Sequence, residues 1–176
     1  MLFRETPVAG AFVIEPERRV DERGHFARVF CEHELAQRGL EGSIRQINTG
    51  FSPRSGTLRG MHYQVEPHAE VKIVRCVRGA VFDVVVDLRC DSPTFARWYG
   101  IELNENNGLQ LYVPRGAAHG YLTLEDDTEL VYSTSSPYAP EAARGVRYDD
   151  PAFGIQWPAG IRVISAADSS WPLFDR

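Results

Sequence analysis

The sequence predicts an all-β fold, whether barrel, jelly roll or two-sheet sandwich, and three observations carry that expectation. Short runs rich in valine, isoleucine, leucine and aromatic residues recur along almost the whole chain, at the spacing of roughly 8–12 residues typical of such folds. Clusters of Gly, Pro, Asn, Asp and Ser punctuate them, and these residues set turn geometry. One segment alone, 32–38, has helical character, so the strand–helix alternation of parallel α/β folds is missing.

In chain order, AFVIEP (11–16) and HFARVF (25–30) read as strands, and EHELAQR (32–38) reads as a short helix because Gly39 follows it as a stop signal. IRQINTGF (44–51) and TLRGMHYQ (57–64) are strands separated by the turn residues SPRSG. VKIVRCV (71–77) and AVFDVVVDLR (80–89) flank the tight RGA turn. RWYGIEL (97–103) follows DSPT, LQLYVP (109–114) follows NENNG, and EDDT separates GYLTL (120–124) from ELVYSTS (129–135). GVRYDD (145–150) and IRVIS (161–165) complete the set. Alternation is imperfect in VFDVVVDLR, as expected of a strand covered on both faces, one by the barrel interior and the other by a second sheet or subunit. A homodimer formed through a sheet fits that pattern.

A chain of 176 residues predicts one domain, 1–176, able to remove about 70% of its unfolded surface from water. With 43% hydrophobic and 24% charged residues it lies outside the disordered and low-complexity classes. Its longest apolar stretches, such as Val84-Val85-Val86, are far shorter than the roughly 20 residues of a spanning helix, and MLFRETPVAG lacks the basic-then-apolar order of a secretory signal. Cys31, Cys76 and Cys90 form an odd set with no C-x-x-C spacing, which points to a reducing, cytoplasmic location. A net charge of −5 with dispersed arginines argues against a nucleic-acid partner.

Lys72 is the single lysine among 19 basic residues. A composition this biased toward arginine marks a position where a compact ammonium does what a planar guanidinium does not. Alternation within VKIVRCV puts Lys72 on a face with Val74 and Cys76, where a charge serves either as an edge guard or in a cavity. In TLRGMHYQ the same rule puts Leu58, Gly60, His62 and Gln64 on one face, and a bulge at Gly60 would re-aim Arg59 toward the cavity that His62 faces.

PRGAAHG (114–120) has the P-x-G-x-x-H form of the second box of the cupin superfamily, and Gly60–Gly79 resembles the first box with Gln64 in place of a histidine. One expectation is therefore a metal-dependent cupin oxygenase or isomerase using His62, Glu70 and His119, with or without Gln64. Gln64 is a poor ligand, however, and a cation beside Lys72 would be repelled. A non-catalytic sugar-nucleotide-binding cupin is the other alternative.

The segments TLRGMHYQ, VKIVRCVRGAVFDVVVDLRCDSPTFARW, LYVPRGAAHGYLTL, ELVYSTSSPYAPE, DDPAFGIQWP and ISAAD, with DERG (21–24) and QIN (46–48), resemble dTDP-4-dehydrorhamnose 3,5-epimerases in collinear order. That resemblance implies a cupin-type jelly-roll β-barrel with a short helix, a homodimer, a nucleotide-sugar substrate, and no metal or other cofactor. It implies His62 as catalytic base, Asp168 as its carboxylate partner, Lys72 beside the C4 carbonyl and Tyr132 as general acid on the opposite face. Arg23, Gln46, Asn48, Arg59 and His119 match positions that bind the nucleotide sugar and its diphosphate, Arg28 falls in the same region, and Tyr138 matches an aromatic that stacks on the base. The chemistry suits these residue types. Protons at C3 and C5 of a 4-keto sugar are both α to the carbonyl, and removing either puts charge on the C4 oxygen, where a cation stabilises it. Inversion needs a base on one ring face and an acid on the other.

Four positions depart from the family pattern: Arg28 stands where a glutamate is usual, Glu70 for a glutamine, Arg144 near an acidic residue, and Ala167 for a lysine. The changes at Arg28, Arg144 and Ala167 fall in the expected nucleotide region, so phosphate and base recognition are the features they put in question.

Overall fold

The computed structural model describes residues 1–174. Two sheets face each other. The first has the order β1 (Leu2–Glu5), β2 (Phe12–Glu15), β10 (Gln110–Val113), β7 (Lys72–Arg78), β12 (Thr128–Thr134), β5 (Gln46–Ser52). The second runs β13 (Ala143–Gly145), β6 (Thr57–Gln64), β11 (Ala117–Thr123), β8 (Ala80–Asp87), β9 (Trp98–Asn104), and the short β14 (Val163–Ile164) pairs in parallel with β6. The other pairings within these sheets are antiparallel. Sequence neighbours such as β6 and β7 lie in opposite sheets, which is the jelly-roll arrangement.

Three apolar layers explain the imperfect alternation. Val74 and Cys76 of β7, Val81 and Val85 of β8, Leu111 and Leu130 meet between the sheets. Val84 and Val86 point to the other side of β8, where Val146, Phe153 and Ile155 cover them. Ile73 packs behind the first sheet with Ile14, Tyr112 and Leu35 of helix α1 (Glu32–Ala36). The outer faces of β8 and β7 are thus covered, at these positions, by the chain's own segments.

Helix α1 stops before the Arg38 that the sequence suggested, in a Schellman-type turn: the Gly39 N–H reaches the Ala36 carbonyl and the Leu40 N–H the Leu35 carbonyl, with Gly39 at φ +69°. HFARVF contributes only the strand β4 (Gly24–Phe26), which pairs with β3 (Arg19–Asp21) in a two-stranded hairpin outside both sheets. GVRYDD is mostly turn: after Gly145 the chain folds about Asp150, whose carboxylate accepts from the backbone N–H groups of Ala152 and Phe174. Three elements go beyond the expectation, strands β1 and β3 and helix α2 (Ala166–Ser169).

Candidate active site

A cleft opens between β6 and β11 of the second sheet and β7, β12 and β5 of the first. It has two adjoining lobes of about 590 and 700 Å³. His62, Lys72, Tyr132 and Asp168 line both lobes and form the wall they share. Arg59, His119 and Tyr121 belong to one lobe; Gln46, Asn48, Tyr138 and Trp171 belong to the other.

The β6–β11 pairing builds this wall. His119 pairs with His62, but Tyr121 pairs with Arg59, so β6 spends three residues where β11 spends two. That irregularity is the bulge expected at Gly60, and it brings Arg59 and His62 into one cavity. Gly60 sits at φ +123°, and a Cβ there would lie 2.6 Å from Gly120 Cα. Both strands need glycine at the crossing.

His62 Nε2 lies 2.6 Å from Asp168 Oδ1, and the Gly60 N–H donates to Asp168 Oδ2 at 3.3 Å. Helix α2 supplies Asp168, and Ser165 caps that helix by accepting from the Asp168 N–H at 3.0 Å. Burial pushes the Asp168 carboxyl up, but the hydrogen bond and charge of His62, with the Gly60 and Ser165 contacts, outweigh it and hold the group below the usual carboxylate range. A carboxylate fixed on one imidazole nitrogen orients the ring and leaves its other nitrogen to exchange a proton.

On β7, Lys72 lies 3.1 Å from Glu70 Oε1 and donates to the His62 carbonyl at 3.3 Å. Tyr132 of β12 is pushed up by burial and then by the Glu70 carboxylate, with Arg59 offsetting part of the rise, so it remains a protonated donor at neutral pH. His119 Nε2 lies 2.9 Å from Asp83 Oδ1 within the barrel. Arg59 is tethered through the Phe51 carbonyl at 3.1 Å. Gln46 Oε1 accepts from the Tyr138 N–H at 2.6 Å, tying the exposed Tyr138 to the mouth of the second lobe.

Two expected binding residues are not brought to this cleft. Arg23 is exposed in the β3–β4 hairpin and pairs with Asp21 at 2.5 Å, and Arg28 pairs with Glu34 at 2.9 Å beside the N-terminus. The β3–β4 hairpin that holds Arg23 and precedes Arg28 pairs with no other strand among the described residues, so no backbone ladder carries them to the barrel. The trio His62, Glu70 and His119 does not converge either. Each has its own partner, and among the described residues no three His, Cys, Asp or Glu side chains are grouped to hold a metal ion.

Several cleft residues were not singled out from sequence. Tyr121 and Trp171 had no motif, and Trp171 packs so closely on Gly145 that a Cβ there would lie 2.3 Å from Trp171 Cε2. Asp83 carried a readable signal, an acid on the same strand face as Val81 and Val85, and it is fully buried beneath His119.

The family model for dTDP-4-dehydrorhamnose 3,5-epimerase matches residues 5–176. The chain belongs to that family. It is 44% identical over 173 residues to the dTDP-4-dehydrorhamnose 3,5-epimerase of Sinorhizobium fredii, covering 98% of this chain and 89% of the relative. Among solved structures, the dTDP-4-dehydrorhamnose 3,5-epimerase of Elizabethkingia anophelis superposes with a TM-score of 0.96 at 38% identity, covering 99% of this chain and 96% of the other. A 3'-monoepimerase from Streptomyces bikiniensis, in complex with dTDP-quinovose, matches with a TM-score of 0.86 at 38% identity, covering 94% and 84%. The resemblance to dTDP-4-dehydrorhamnose 3,5-epimerases also gives the departures a location. Glu70 and Ala167 line the second lobe, whereas the exposed Arg144 binds the carbonyls of Glu141 and Ala143.

Proposed function

We propose that this protein is a sugar-nucleotide epimerase that inverts C3, C5 or both in a dTDP-linked 4-keto-6-deoxyhexose, the usual product being dTDP-4-dehydrorhamnose. The observation that carries this reading is the shared wall of the two lobes: an imidazole 2.6 Å from a buried carboxylate, an ammonium and a protonated phenol all face one cavity. His62 takes a ring proton α to the carbonyl, the electron pair moves to the C4 oxygen, and the Lys72 ammonium stabilises the resulting enolate. Tyr132 returns a proton to the same carbon from the opposite face. The phenolate and the imidazolium then exchange protons with solvent, which restores both groups. Asp168 holds His62 in register throughout.

Gln46, Asn48, Arg59 and His119 lie around the reacting wall and Tyr138 at the mouth, a layout that supports sugar, diphosphate and base recognition along one cleft. Arg23 and Arg28 enter this proposal through a second copy of the chain. The hairpin exposes Val20 and Phe26, and the edge strand β5 exposes Ile47 and Phe51, apolar surfaces that a homodimer would cover. Light scattering on the purified protein is expected to give twice the 19.8 kDa chain mass; a monomer at micromolar concentration would remove the two arginines from the site. A single domain in the cytoplasm completes the proposal, supported by three cysteines that are unpaired.

The deciding experiment incubates the protein with dTDP-4-keto-6-deoxyglucose in D₂O and follows the ring protons by NMR. Deuterium at a carbon next to the carbonyl is expected. Tight binding without exchange would instead support a non-catalytic binding protein.

A further inference from the structure

Lysine carries its charge on a flexible four-carbon stem, and two side chains outside the proton-transfer set hold that of Lys72. Glu70 Oε1 lies 3.1 Å from Lys72 Nζ, and Gln64 Nε2 donates to Glu70 Oε2 at 2.6 Å. The Glu70 and Lys72 side chains are only 8% and 12% exposed, so solvent does little to loosen the pair. Gln64 is itself fixed in orientation: its Oε1 accepts from the Ala139 N–H at 2.7 Å, and its Nε2 donates to the His68 carbonyl at 2.9 Å. The carboxylate at 70 therefore stands between two donors, an amide NH₂ and an ammonium. Acceptors at both ends of the side chain serve both. A glutamine, the residue usual in the family, has one acceptor oxygen and so serves one of the two donors, which makes the double hold particular to this chain.

An ammonium has three N–H groups. Here it is ion-paired with Glu70, one N–H donates to the His62 carbonyl, and no further protein partner stands against it among the described residues. We propose that Glu70, anchored by Gln64, is the positioning residue for Lys72, holding the ammonium between its carboxylate and the His62 carbonyl so that a remaining N–H meets the carbonyl oxygen of the substrate. This rests on the reading that Lys72 stabilises charge at that oxygen. The carboxylate also offsets part of the ammonium charge, so positioning must outweigh electrostatic loss. A misplacement on the order of 1 Å costs about 10²-fold in rate, which sets the scale of the gain.

Because Lys72 is the only lysine, protein labelled with ¹³C at the lysine ε-carbon gives one side-chain signal, readable without substrate. In the wild type the two ε-protons should be resolved, as for a held side chain. Glu70→Ala, which leaves neither acceptor, should merge them, lower kcat about 10–100-fold and change KM less than about threefold, since the loss is in transition-state positioning. In a Lys72→Gln background the same change should cost nothing further. Glu70→Asp keeps the charge but is a methylene too short to meet both donors, and it should give the same merged signal should the alanine variant fail to fold. Resolved ε-protons in these variants, or a kcat at or above wild type, would overturn the proposal. Wild-type turnover in Lys72→Gln would overturn the catalytic purpose of the clamp and the role given to Lys72 together, while the NMR signal would still report separately whether Glu70 holds the lysine.

Discussion

A positioned base commonly contributes about 10²–10⁴-fold to proton abstraction, and His62 is the imidazole that Asp168 orients on the wall both lobes share. His62→Asn is therefore expected to lose turnover on that scale while keeping affinity for dTDP, measured by calorimetry; near-normal turnover would end the mechanism. Lys72→Arg tests charge against shape. The guanidinium keeps the charge, but its planar fork does not fit between the Glu70 carboxylate and the His62 carbonyl as a compact ammonium does, so activity should stay low. Asp168 links the site to stability. Its folded-state value lies below the ordinary 3.8, so the stabilisation it gives is complete above that ordinary value and is lost as pH falls through the depressed one. Thermal unfolding between pH 6 and 2 should show a shallower acid-side loss for Asp168→Asn than for the wild type, and parallel curves would contradict the His62–Asp168 bond. At this scale much was legible. A solitary lysine and a histidine beside a strand glycine pointed into the cavity from sequence, while Asp168 and Tyr132 came only with the family resemblance. The long-range partnership of Asp83 with His119 stayed hidden, because nothing local couples a strand acid to a histidine 36 residues away.

Among the elements, the strands facing the barrel interior were readable because their valines, isoleucines and leucines have nowhere else to go. The misread ones sit where backbone groups are satisfied by turns or by single ladders. GVRYDD has the composition of a strand, yet its end closes into turns, with the Asp150 N–H donating to the Arg147 carbonyl and the Asp150 carboxylate accepting from the Ala152 and Phe174 N–H groups. Helix α2 is one turn long and has no apolar period, but Ser165 followed three residues later by Asp168 is a capping signature that marks its start. The β6–β11 crossing makes a sharp test. Gly60→Ala would add a Cβ 2.6 Å from Gly120 Cα and 2.8 Å from the His119 carbonyl oxygen, at a positive φ that side chains rarely adopt. Strain and overpacking together should cost about 3 kcal/mol, or roughly 6–12 °C in Tm for a chain of this size, with activity falling as Arg59 and His62 separate. An unchanged Tm would show that the two strands can part without consequence.

At the scale of the whole molecule, fold and reaction class go together, but stereochemical scope does not follow from either. The Streptomyces bikiniensis 3'-monoepimerase shares this fold at a TM-score of 0.86, so one jelly roll accommodates single-carbon inversion as well as the double reaction. Inverting both carbons requires the sugar to present C3 and then C5 to one base, with the enolate oxygen held each time. His62, Lys72, Tyr132 and Asp168 are all in place around one wall. Exchange at both carbons is the expected outcome. The opposing influence lies in the nucleotide region, where Ala167 lines the second lobe without a charge and Arg144 lies exposed outside it. A nucleotide gripped with a tilt on the order of 1 Å would cost about 10²-fold at the carbon it misaligns. Time courses in D₂O resolve the two carbons separately: comparable deuterium at C3 and C5 would establish the double reaction, whereas label at C3 alone would place the chain with the single-carbon epimerases. Ala167→Lys then tells whether the lost cation is the cause, because a C5 signal recovered in that variant would trace the narrower scope to nucleotide grip rather than to the acid–base wall.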